Sequence, residues 1–156
     1  MAFLDVITLA EAKNYLRIDE DLTEDDVRLS SMIKTALHTI EWRTNVLLYS
    51  RNKEYLVQDY CVSVYDYPIN SLVSPTDADA EEKTLYTNYY VGSASDKKVT
   101  LNVGYDLPED VPSIFIECAL EYIKYLYYDS ENNNGKSNEI PLYIENMINQ
   151  EKRFIL

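Results

Sequence analysis

The stretch 102–128, NVGYDLPEDVPSIFIECALEYIKYLYY, decides how the rest of the chain is read. It closes a β-like run on Gly104-Tyr105, crosses a Pro-bounded acidic turn, and enters a helical segment with almost no polar face. Pro112 suits a first helical turn, where its missing N–H would have no partner, and Glu109 and Asp110 favour the positive end of the helix dipole. At helical spacing Glu117, Glu121 and Lys124 form one narrow polar line. Ile114, Phe115, Ile116, Cys118, Ala119, Leu120, Tyr122, Ile123, Tyr125, Leu126 and Tyr127 fill the remaining circumference. A helix apolar nearly all round is buried on most sides. One short helix and a small sheet of the same chain would cover about half of it, so a neighbouring subunit is the expected source of the remainder.

Upstream, TLAEAKNYLRI (8–18) begins with Thr8 placed to cap and Glu11 three residues on, the reciprocal capping-box spacing, and predicts a short helix from Leu9 to Arg17. DEDLTEDD (19–26) reads as a solvated acidic turn, with Thr23 the expected cap of a second helix over Glu24–Thr44. There Leu29, Met32, Ile33, Ala36, Leu37 and Ile40 form one core-facing stripe. Val27, Ser31, His38 and Trp42 fall on the opposite side. An indole in that position is a candidate contact for another subunit or for the β segment of its own chain.

Between about Lys53 and Val103 the period changes. KEYLVQ, YCVSVYDY, TLYTNYYV and KKVTLNV are rich in Val, Tyr and Thr and are separated by turn formers, which predicts antiparallel strands and hairpins. SPTDADAEEK (74–83) reads as an exposed acidic loop, and Gly104 as a turn at the end of the last strand. After the polar stretch SENNNGKSNE (130–139), IPLYIENMINQEKRFIL predicts a final short helix with an apolar tip at Phe154, Ile155 and Leu156. The expectation is an α+β, mainly α fold: a bundle of three to four helices with an antiparallel β-hairpin region inserted between the second and third. One domain spans 1–156, with N-terminal helices at 8–45, the β excursion at 53–103, the central helix at 111–129 and a C-terminal helix at 140–153.

The 156 residues carry 27 Asp and Glu against 14 Lys and Arg, a formal net charge of −13. Such a surface repels phosphate backbones, although it does not prevent the protein from surrounding DNA without gripping it. The 15 tyrosines suit surfaces that are wet at one moment and buried at another. Cys61 and Cys118 lie far apart and form no CxxC pair, so reduced thiols are expected. His38 is the only histidine, with no companion for a metal site or a catalytic pair. Gly135-Lys136-Ser137 lacks both the upstream glycine and the preceding strand of a P-loop. No Ser-His-Asp set, HExxH or EF-hand loop is present. These residues predict no enzyme, no cofactor and no metal. The opening residues lack the pattern of a secretory signal, no run is long and apolar enough to span a bilayer, and a soluble protein is expected.

With those residues in view, the chain resembles the phage head-tail connector family, the adaptor proteins that form a ring beneath the portal. The resemblance starts at ITLAEAKNYLRID, resumes in DDVRLSSMIKTALHTIEWRTN, and is strongest in VTLNVGYDLPEDVPSIFIECALEYIKYLYYDSEN. It implies a structural virion protein located in the neck and assembled in the host bacterial cytoplasm. It further implies a homo-oligomeric ring of about a dozen copies in cyclic, heterologous contact. The portal protein would lie on one side and the next tail or neck component on the other, with DNA passing through the lumen without specific binding. An acidic inner wall would suit that task, with DEDLTEDD or the 77–82 loop as its candidate lining. The candidate subunit-interface residues are Trp42, Val27, His38, Phe115, Tyr122, Tyr125 and Leu126. A different reading of the same charge is an acidic DNA mimic that occupies a host nuclease.

Overall fold

The computed structural model describes residues 3–56, 61–74, 80–83, 88–91, 98–128 and 140–150. In chain order these form α1 (Phe3–Val6), α2 (Leu9–Leu16), α3 (Asp26–Thr44), β1 (Arg51–Leu56), β2 (Cys61–Ser63), β3 (Ile69–Ser74), β4 (Ala80–Lys83), β5 (Asn88–Val91) and β6 (Lys98–Val103). A 3₁₀ turn at Pro108–Asp110 leads to α4 (Ser113–Tyr128), and α5 (Leu142–Gln150) closes the described chain. The α+β, mainly α class expected from the sequence is what the structure shows.

α2 begins as its capping box dictates. The Thr8 hydroxyl accepts from the Glu11 N–H, the Glu11 carboxylate accepts from the Thr8 N–H at 2.7 Å, and the helix ends on Arg17 in the left-handed conformation. α3 starts two residues later than its acidic lead-in suggests. Asp25, not Thr23, is the N-cap residue, and it makes no side-chain cap bond. The reason is tertiary. Asp25 accepts a 2.7 Å hydrogen bond from the Tyr127 hydroxyl of α4, and Asp26 pairs at 2.6 Å with Lys13 of α2.

Leu29, Ile33, Ala36, Leu37 and Ile40 of α3 meet Phe115, Cys118, Ala119, Tyr122 and Ile123 of α4 in the main core, which also takes Ala12 and Leu16 from α2 and Ile144 and Ile148 from α5. Met32, placed in the buried stripe by its spacing, packs only partly buried at the edge of this core. A second, smaller core lies under the sheet β1-β6-β3. There the alternation of β6 turns Val99, Leu101 and Val103 inward against Leu47 and Val64. The other sheet, β2-β5-β4, is antiparallel as well.

Two strands depart from the sequence reading. β3, INSLVS, was not expected as a strand; its burial does not alternate and its register against β6 shifts twice, so the period-2 signal is missing. β4 falls within the stretch read as an acidic loop: Ala80–Lys83 pairs with β5, so backbone pairing overrides the low strand propensity of Ala, Glu and Lys. Residues 75–79, the Gly135-Lys136-Ser137 triplet and the apolar tip at 154–156 lie outside the described residues.

The helices and sheet are joined by the segment 45–49. Leu47 N–H donates to Tyr67 C=O at 2.7 Å, and Tyr67 N–H donates to Asn45 C=O at 3.1 Å. Gly104, with φ of +105°, sits where a Cβ would collide with the Tyr49 carbonyl. Only glycine supplies both the positive φ and the close approach, so the turn read from Gly104 has a steric cause.

Candidate assembly interface

α3 displays an outer face with an unusual composition. Val27 is 86% exposed and Trp42 71% exposed, and Ser31, Lys34, Thr35 and His38 are exposed between them. At 1.5 Å per residue the two apolar ends stand about 22 Å apart along one stripe. From Val27 to Arg43 the single carboxylate is Glu41, and it is buried. In a chain of net charge −13, α3 itself therefore contributes cations and no exposed acid between Val27 and Arg43. The Arg43 guanidinium lies 5.3 Å from the Trp42 ring centroid and 3.4 Å from Glu145 of α5, which props the indole outward. Trp42 does not fold under the β segment of its own chain.

α4 divides its apolar residues between two roles. Phe115 and Tyr122, interface candidates by sequence, are 3% and 8% exposed and are used in the chain's own core. Tyr125 and Leu126 pack against that core and stay half-buried, as do Ile114, Ile116, Leu120 and Tyr127. The end of the helix is tied down by its tyrosines. Tyr127 bonds Asp25 with Arg28 stacked 5.5 Å from its ring, and the Tyr128 hydroxyl donates to Leu16 C=O at 2.8 Å. The protomer thus leaves α4 partly open to solvent.

A group that the sequence did not single out lies across α2, α4 and α5. Tyr15 donates to Glu121 Oε1, Tyr143 donates to Glu121 Oε2 at 3.2 Å, and Lys124 lies 6.0 Å over the Tyr15 ring. Burial, then the hydrogen bond to Glu121 and its charge, push the Tyr15 phenol up to about 12. The Tyr15 bond is also the main cause holding the Glu121 carboxyl below its ordinary value, against a smaller opposing effect of burial. Beside this group is a cleft of about 230 Å³ lined by Ile7, Glu11, Asn14, Tyr15, Ile116 and Leu120. An exposed Tyr15 on the polar side of a short helix was the only signal in the sequence, and its partner is 106 residues away.

The acidic turn 19–24 is held from beneath. Lys13 is 4% exposed, and its ammonium donates to Glu20 C=O at 3.1 Å and Leu22 C=O at 2.7 Å while pairing with Asp26. Asp19, Glu20, Asp21 and Glu24 point to solvent above this anchor. The turn is a fixed anionic surface. Among the described residues no group of three or more His, Cys, Asp and Glu side chains could hold a metal ion, and no helix is long and apolar enough to cross a membrane. Cys118 is a buried thiol.

Comparison with known proteins bears on this geometry. Residues 6–71 match the family model described as phage gp6-like head-tail connector protein. No curated protein matches the chain. Among solved structures, a chain described as "Virion of native gene transfer agent (GTA) particle" superposes with a TM-score of 0.73 at 15% identity, over 97% of this chain and 91% of that one. A second, from "Neck of empty GTA particle computed with C6 symmetry", gives 0.70 at 14% identity, over 100% and 94%. At such identities the likeness is one of fold. The resemblance to head-tail connectors read from the sequence is borne out by the family model over residues 6–71.

Proposed function

We propose, from the match to head-tail connectors, that this chain is a structural protein of a virion neck, a single connector domain over residues 1–156 that assembles with copies of itself into a ring of about a dozen around the DNA path. The observation that carries this reading is the full-length likeness to a chain from the neck of a GTA particle, joined to the connector family match over residues 6–71. The physical support is the half-open α4 and the apolar, cationic face of α3. Val27, His38, Trp42, Tyr125 and Leu126 are the surface residues that neighbouring copies would cover. Phe115 and Tyr122 support the interface from within.

The portal lies on one side of the ring and the next neck or tail component on the other. The anchored turn at 19–24 supplies acids that would let DNA slide, because a carboxylate wall binds no phosphate. The chain works by shape and charge, without catalysis or a cofactor. Assembly takes place in the host cytoplasm. A DNA mimic would spread its carboxylates over its whole surface, and the acid-free face of α3 weighs against that alternative.

Electron microscopy of intact particles tests the reading. Density for this fold in a ring between portal and tail is the expected result. Particles whose neck lacks the chain would overturn it, as would a wild-type protein that stays monomeric both alone and with portal rings.

A further inference from the structure

Resting on that ring reading, we propose that the outer face of α3 docks into the cleft between α2 and α4 of an adjacent copy, with Trp42 as the anchor. The cleft has the size of one large side chain. At about 230 Å³ it falls below the ~300–1,000 Å³ of ordinary small-molecule sites. Its floor is apolar, from Ile7, Ile116 and Leu120, and its rim carries Glu11 and Asn14. Glu117 is exposed one residue beyond Ile116, and its charge reaches Tyr15. The incoming face brings the complementary set: an exposed indole, the exposed cation Lys34, and no exposed carboxylate between Val27 and Arg43.

Three physical arguments favour a second copy as the occupant. Trp, Tyr and Arg are the side chains that dominate interface energetics, and here the Trp and Arg stand on one surface and the Tyr on the other. Opposite charges face each other across the contact, which steers docking and fixes register. The two surfaces share no residue, so the contact is heterologous and propagates around a ring instead of closing on itself as a two-fold pair. DNA is the weaker occupant for the α3 face. Arg28 is stacked on Tyr127 and Arg43 is paired with Glu145, which leaves too few cations for the several phosphate contacts that useful affinity requires.

Trp42 is the only tryptophan in the chain, so the chain's tryptophan fluorescence reports on the surroundings of this one side chain. Native mass and tryptophan emission are measured together on the full chain across a concentration series, with and without portal rings. Ring formation should bring a blue shift and a several-fold fall in quenching by acrylamide. Trp42→Ala, at an exposed position, should keep the wild-type melting temperature and lose the ring, and Leu120→Arg in the cleft should lose it too. Lys34→Glu should weaken assembly, and adding Glu117→Lys to it should restore assembly. Rings in which Trp42 stays open to acrylamide, or in which Trp42→Ala assembles normally, would overturn this contact and leave the ring reading standing. A chain that never forms rings removes both. A blue shift on adding duplex DNA to the monomer would overturn a second copy as the partner.

Discussion

Glu41 and Arg51 form a two-pronged ion pair, Oε2 to Nη2 at 2.9 Å and Oε1 to Nη1 at 3.1 Å, that joins the last turn of α3 to the first residue of β1. The Glu41 side chain is 3% exposed, and Oε1 also accepts the Leu48 N–H at 2.8 Å. One carboxylate therefore serves as the hinge pin between the helical core and the sheet. Removing one partner of a buried pair strands the other, at a cost of about 3–5 kcal/mol. Arg51 keeps some access to water, so Glu41→Ala should lie near the lower end, about 3 kcal/mol. Thermal melting should fall by roughly 6–12 °C for a chain of this size. A variant melting within 2 °C of wild type (below about 1 kcal/mol) would show that the pair is dispensable.

Gly104→Ala tests the other side of the same joint. The new methyl group would meet the Tyr49 carbonyl, and the residue would have to hold a φ of +105°. Backbone strain and overpacking together should cost about 2–4 kcal/mol. Denaturant unfolding measures it, and an unchanged midpoint would contradict the tight approach.

The Tyr15–Glu121 bond gives stability a definite pH dependence. Glu121 has its pKa depressed in the folded state, so its contribution is present above the ordinary carboxyl value and is lost as pH falls through the lower folded one. Tyr15 has its pKa raised, so its contribution is present below the ordinary phenol value of 10.0 and is lost as pH rises towards about 12. Tyr15→Phe should therefore narrow the gap to wild type at both extremes and widen it near neutrality. Melting curves across pH would show this, and a gap independent of pH would contradict it.

His38→Ala and Leu126→Asp should behave in opposite ways. His38 is exposed on α3, and its replacement should leave stability within about 0.5 kcal/mol and particle yield near wild type. Leu126 packs partly buried on the main core, so an aspartate there loses apolar burial and desolvates a charge, at a cost of about 2–3 kcal/mol. Equal melting of the two variants would mean that α4 is less well covered than its packing indicates.

The helices were legible because their signals are local. The capping box at Thr8 and Glu11, the stripe from Leu29 to Ile40 and the glycine at 104 each depend on neighbours a few residues away. The nearly unbroken apolar surface of α4 also announced that its own protomer would not cover it fully. The β excursion was legible only where strands alternate, as in β6. β3 and β4 carry no such period and exist because β6 and β5 offer them backbone partners. For the candidate interface, Val27, His38 and Trp42 were placed on the outer face by spacing alone. Phe115 and Tyr122, offered as interface candidates by the sequence, lie in the protomer's own core, because an apolar helix does not say which of its sides faces home.

What the amino-acid order determined by itself is therefore the helices α2 to α5, the alternating strands, the excess of negative charge and the surplus of apolar surface on one helix. Tertiary structure alone decided which of the 27 acids turn inward. Glu41 went to Arg51, Asp26 to Lys13 and Glu121 to Tyr15. Those choices belong to long-range packing, because a buried charge must find its counter-charge wherever the fold brings one near, and no local pattern records that distance.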